Sequence, residues 1–147
     1  MTTDARSLDD YFDRPLILVA DDDFEMRRVL WDRLTHAGYR VRAVADGAAA
    51  LERLQAGLDL GPRCIPAAIV ADLRMAPMDG LELLRRVRSL ALDVPVIVTT
   101  AFGEPEAHAA ARSLGAIASF DKPLELSSLV ALLRRVVPPL AAGSEPA

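Results

Sequence analysis

The stretch Leu16-Ile17-Leu18-Val19-Ala20-Asp21-Asp22-Asp23 decides the fold. Five apolar residues end abruptly in three carboxylates, and a second apolar run, Ala67 to Ala71, ends in a fourth, Asp72. Two more runs end in other chemistry. Val94 to Thr99 leads into the hydroxyl of Thr100, and Ala116 to Phe120 leads through Asp121 to Lys122-Pro123. Short, nearly uniformly apolar runs rich in β-branched residues suit strands buried on both faces. In an open parallel sheet the ligand site lies outside the carboxyl ends of the strands, so groups spread over about a hundred residues are expected to converge there. Carboxylates at two strand ends point to a shared cation.

Working outward, helical periodicity fills the gaps between the runs. Phe24 to Ala37 sets Met26, Val29, Leu30, Leu34 and Ala37 on one stripe, and Gly38 supplies a C-terminal stop. A second strand, Arg40 to Val44, is more alternating. Asp46 then reads as the cap of a helix through Ala56, and Gly57 to Pro66 as a surface connection. Further helices are expected at Gly80 to Ser89, Glu104 to Leu114 and Leu126 to Val137. The fourth helix has only Ala107, Ala110, Ala111 and Leu114 inside, and the fifth stops at Pro138-Pro139. Five β-α units imply a parallel sheet with right-handed crossovers.

At 147 residues, 52% hydrophobic and a net charge of -4, the chain suits one globular domain with no basic excess for nucleic acid. Residues 15–137 form that domain; 1–14 read as a flexible polar extension and 138–147 as a disordered tail too short for an output domain. The leader lacks the charged and apolar regions of a secretory signal, and no run approaches a membrane span. The lone Cys64 permits no internal disulfide, which fits a reducing, cytoplasmic setting. High alanine and arginine usage is a weak pointer to a bacterial source.

Four stretches, ILVADDDFEMRRVL (17–30), IVADLRMAPMDGLELL (69–84), PVIVTTAFG (95–103) and GAIASFDKPL (115–124), together resemble the receiver domain of two-component response regulators. The resemblance implies a flavodoxin-like (βα)5 doubly wound sheet of strand order 2-1-3-4-5. It makes Asp72 the phosphoacceptor, Thr100 and Lys122 its partners, and Asp21, Asp22, Asp72 and the backbone carbonyl of Arg74 the ligands of magnesium. The lysine-proline pair of this family usually carries a cis bond. The resemblance further implies a histidine kinase or histidine phosphotransferase as donor, an output partner the sequence does not name, and no catalysis beyond the receiver's own phosphorylation and dephosphorylation. A second copy is expected to dock, if one does, on the fourth helix, fifth strand and fifth helix. The physics agrees with these roles: a carboxylate attacking a phosphoryl group needs cations beside it.

The chain departs from the family in two places. Ser119 stands where a tyrosine or phenylalanine usually swings inward, and Phe120 should point to the opposite face. Ala76 stands where proline is usual, with Pro77 next. Bulky Phe102, near the site, is expected to slow hydrolysis of the acyl phosphate. Simpler roles are expected elsewhere: Asp23 as helix cap, His36 and His108 solvated, Cys64 an ordinary thiol, Trp31 packed in its helix, and Arg85, Arg86 and Arg88 on a wet face. Two other functions fit parts of the pattern. The Asp21 and Asp23 spacing resembles haloacid-dehalogenase-type phosphohydrolases, although no cap-sized insertion exists. Ser119 and Ala76 would suit a pseudo-receiver that scaffolds or dimerises without phosphorylation.

Overall fold

The structure, a computed structural model, describes residues 10–101 and 104–139. Its elements alternate as expected: β1 (Leu16–Ala20), α1 (Phe24–His36), β2 (Arg40–Val44), α2 (Gly47–Leu60), β3 (Ala68–Asp72), α3 (Gly80–Ser89), β4 (Val96–Ala101), α4 (Pro105–Ser113), β5 (Ala118–Lys122) and α5 (Leu126–Val136). The five strands are parallel in the order β2-β1-β3-β4-β5. This is the doubly wound arrangement the resemblance implied.

Strand alternation divides the core between two faces. Leu18, Ile69, Val96 and Val98 pack with Leu51, Leu54, Leu83, Leu84 and Val87 from α2 and α3. Ile17, Val19, Val70 and Ile97 pack with Leu30 and Leu34 of α1 and Leu129 and Leu133 of α5. Burying a side chain of this size is worth about 1.5–3 kcal/mol, so the central strands carry much of the stability.

Side chains of Asp23, Asp46 and Asp79 cap α1, α2 and α3 by accepting from the backbone N–H groups of Glu25, Ala49 and Glu82. Gly38 lies at φ 107, the left-handed stop expected after α1. The last three strands start one or two residues later than their apolar runs. Pro95 has no N–H for the ladder, although its carbonyl accepts from Ile69, and Ala116 is still bonded to Ala111 at the end of α4. Each strand also reaches one or two residues further, taking Asp72, Thr100 and Lys122 into the sheet.

Three expectations need correction. Helix α2 runs past Ala56 to Leu60, and a 3-10 turn, Pro62–Cys64, fills part of the supposed connection. Gly57 sits inside that helix because a Cβ there would come 2.3 Å from the carbonyl oxygen of Cys64. Val29 and Trp31 are exposed, 39% and 46%, since α1 buries only the narrow row through Leu30 and Leu34. Trp31 therefore contributes little packing. Part of the N-terminal segment, residues 10–13, forms a helical turn, with Asp13 bonded to Arg63. The rest of that extension and the tail beyond 139 lie outside the described residues.

Candidate functional site

The carboxyl ends of β1, β3 and β5 meet in one acidic cluster. Asp21 follows β1 directly and its side chain is 3% exposed. One carboxylate oxygen accepts from the Asp23 N–H at 2.9 Å, and the other accepts from Lys122 Nζ at 3.1 Å. Asp72, the last residue of β3, is held in the same way: Oδ1 accepts from the Arg74 N–H at 3.1 Å and Oδ2 from Lys122 Nζ at 3.0 Å. Lys122 thus bridges two buried carboxylates from strands fifty and a hundred residues away. Its peptide bond to Pro123 is cis, as is the one between Ala76 and Pro77.

Asp22 stands exposed on the rim, and Asp21, Asp22 and Asp72 each offer an oxygen within 4.8 Å of the others. Three carboxylates face one ammonium, so the cluster keeps excess negative charge. An all-oxygen donor set of this kind suits a hard divalent cation such as magnesium. Burial pushes the Asp21 carboxyl above its usual pKa, against the opposing pull of the Asp23 N–H and Lys122. Burial alone would lower Lys122, but its bonds to Asp72 and Asp21 outweigh that and hold the ammonium above its usual value.

The floor of the site is backbone. Gly80 opens α3 so close to β3 that a Cβ would lie 2.6 Å from the Asp72 carbonyl oxygen and 2.9 Å from the Leu73 Cα. Gly80 therefore fixes the depth at which the turn after Asp72 sits. Asp23 turns away from the cluster to cap α1, so the Asp21 and Asp23 pairing of a phosphohydrolase is absent.

Thr100 is fully buried, and its hydroxyl donates to Glu104 Oε1 at 3.2 Å rather than toward an aspartate. The other Glu104 oxygen accepts from Arg74 Nη2 at 2.5 Å. The Arg74 hydrogen bond holds the Glu104 carboxyl below its usual pKa. Sequence reading placed Arg74 beside the site but missed Glu104, because the meeting of the two depends on where two loops fall. His108 was also misread. Its ring bonds Ser119 Oγ through Nδ1 and Asp121 Oδ1 through Nε2, the latter at 2.6 Å, joining α4 to β5. Arg88 is no wet-face residue either, since it donates to the carbonyls of Leu92, Val94 and Gly115. Arg85 and Arg86 pair with Glu82 on an exposed face, as expected. Phe120 packs with the α1 and α5 cluster, opposite His108 and Ser119. Phe102 lies outside the described residues.

This fold and this cluster define a class, and the comparisons agree with it. The model of the response regulator receiver domain matches residues 17–134. Response regulator MprA of Mycolicibacterium vanbaalenii is 36% identical over 135 residues, covering 89% of this chain and 55% of its own length. MprA of Mycobacterium leprae is 38% identical over 132 residues, with 87% and 55% covered. The chain thus spans about half the length of the curated relatives it matches. Among solved structures, chemotaxis protein CheY4 of Vibrio cholerae is 29% identical with a TM-score of 0.72, covering 84% of this chain and 98% of its own. The chain belongs to the response regulator receiver family and is a receiver of two-component signalling. Among the described residues no helix is long and apolar enough to cross a membrane.

Proposed function

We propose that this receiver takes a phosphoryl group onto Asp72 from a phosphohistidine of a kinase or phosphotransferase, with magnesium held by Asp21, Asp22, Asp72 and the carbonyl of Arg74. The observation that carries the reading is the bridge of Lys122 between Asp72 and Asp21, with Asp22 beside them. An Asp72 oxygen attacks phosphorus, an O–P bond forms, and the P–N bond breaks with its electron pair leaving on the donor imidazole. Bound magnesium would neutralise charge on the phosphoryl oxygens. Lys122 already offsets part of the negative charge around Asp72 and is placed to pair with the new phosphoryl group. Thr100 would donate to a phosphoryl oxygen once the charge arrives.

On this reading residues 15–137 are the working module, the setting is cytoplasmic, and the output surface comprises α4, β5 and α5. That face is also where a second copy would dock. The usual aromatic switch is replaced at Ser119 by a contact with His108. The test is intact mass after incubation with magnesium and phosphoramidate. One added phosphoryl group in the wild type and none in Asp72→Asn is the expected result. Addition to neither protein, with magnesium binding also absent, would return the chain to the scaffold reading. Phe102→Glu should shorten the lifetime of the phosphorylated form, and an unchanged decay rate would remove Phe102 from the account.

A further inference from the structure

The contact between Thr100 and Glu104 conflicts with the role Thr100 has in the proposed reaction. A hydroxyl has one proton to donate, and here it goes to Glu104 Oε1 at 3.2 Å. Arg74, two residues beyond Asp72, spends its guanidinium on the other oxygen of the same carboxylate. Glu104 is also the N-cap residue of α4, yet no side chain caps that helix. Its carboxylate is engaged by Thr100 and Arg74 instead of by the helix end. A phosphoryl group on Asp72 would bring anionic oxygens that want the same two donors, and Coulomb repulsion sets it against Glu104.

We propose that Glu104 is a positioning residue which holds Thr100 and Arg74 in the resting state and is displaced from both by the phosphoryl group. The proposal rests on Asp72 as acceptor. Displacement frees the carboxylate at the N-terminus of α4, where a negative charge is favoured by the helix dipole and the cap position is vacant of side-chain bonds. Since α4 buries only Ala111, its first turn can answer this change without breaking a core. The exchange couples acceptor to helix with no aromatic ring.

The test uses beryllofluoride, a phosphoryl analogue, with magnesium on the full chain, its affinity read by calorimetry and fluorine NMR. Glu104→Ala should bind about three- to tenfold more tightly than wild type, since the two largely solvent-screened contacts to Glu104 no longer have to be broken. Glu104→Gln, which keeps an acceptor for Thr100 but loses the charge, should fall between and covers the case in which the alanine variant does not fold. In a Thr100→Ala, Arg74→Ala background the gain should vanish, which a merely structural role for Glu104 does not predict. Wild type that binds beryllofluoride while both Glu104 variants match it, or bind more weakly, overturns the proposal and leaves Asp72 as acceptor. Wild type that binds none overturns both.

Discussion

The β3 strand and the β5 edge each bring one side chain to the acid cluster, Asp72 and Lys122, and they are built differently. Every residue of β3 is buried, and α3 begins in backbone contact with its last residue through Gly80. No residue of β5 is fully buried, and its covering helix α4 buries only Ala111. Where β3 is held by apolar packing, α4 is held to its neighbours largely by polar side chains: Glu104 to Thr100 and Arg74, His108 to Ser119 and Asp121. Beside His108 and Ser119 lies a cavity of about 370 Å³. Packed apolar contacts resist small displacements, whereas a few exchangeable hydrogen bonds allow local opening at low cost. On the proposed reading Asp72 sits on the tightly packed part, and the response is left to the part held by exchangeable bonds.

Several substitutions press on this contrast. Ile69→Ala in β3 should lower stability by about 2–5 kcal/mol in urea unfolding, and half-buried Phe120→Ala in β5 by clearly less. Equal losses would erase the distinction between the strands. Gly80→Ala forces backbone apart at the Asp72 carbonyl, at a cost of about 1–3 kcal/mol and with weaker magnesium binding by calorimetry. His108→Ala removes two hydrogen bonds and should cost about 1 kcal/mol. Native-state amide exchange should then quicken in α4 and β5 while β3 keeps its protection.

The smallest effect runs in the opposite direction. Asp21→Asn should slightly stabilise the metal-free protein while weakening magnesium binding, because burial disfavours the charged form of this carboxylate. The sign follows from linkage. A carboxyl raised by folding costs stability above its folded value and nothing below the ordinary 3.8, so this contribution improves as pH falls between them. Lys122, also raised, contributes stability in full below the ordinary 10.5 and loses it as pH rises through its folded value. A thermal scan of Asp21→Asn against wild type without metal, at neutral and mildly acidic pH, should show the gap narrowing toward acid.

The same contrast explains what could be read in the sequence. Runs such as Leu16 to Ala20 and Ala67 to Ala71 are local, so the strands, the sheet order implied by the resemblance, and the gathering of Asp21, Asp22, Asp72 and Lys122 followed from pattern. The polar contacts of α4 did not. Glu104 and His108 meet their partners because of how the chain leaves β3 and β4, and no periodicity encodes that. Gly57 misled for a related reason: glycine usually weakens a helix, but here a neighbouring turn needs the space.

Tyr39 is buried at the start of β2, and its hydroxyl donates to the Val137 carbonyl at 2.6 Å, just past α5. The bond lies at the pole of the sheet opposite the acid cluster, a strand length of about 17 Å away. Any segment joined beyond Pro139 would therefore leave from the end of the sheet away from the acid cluster, moored at its root. Such a segment would start a strand length from Asp72, and on the proposed reading it would learn of the phosphoryl group through a surface that α4 offers or withdraws, as a tethered boat learns of the tide.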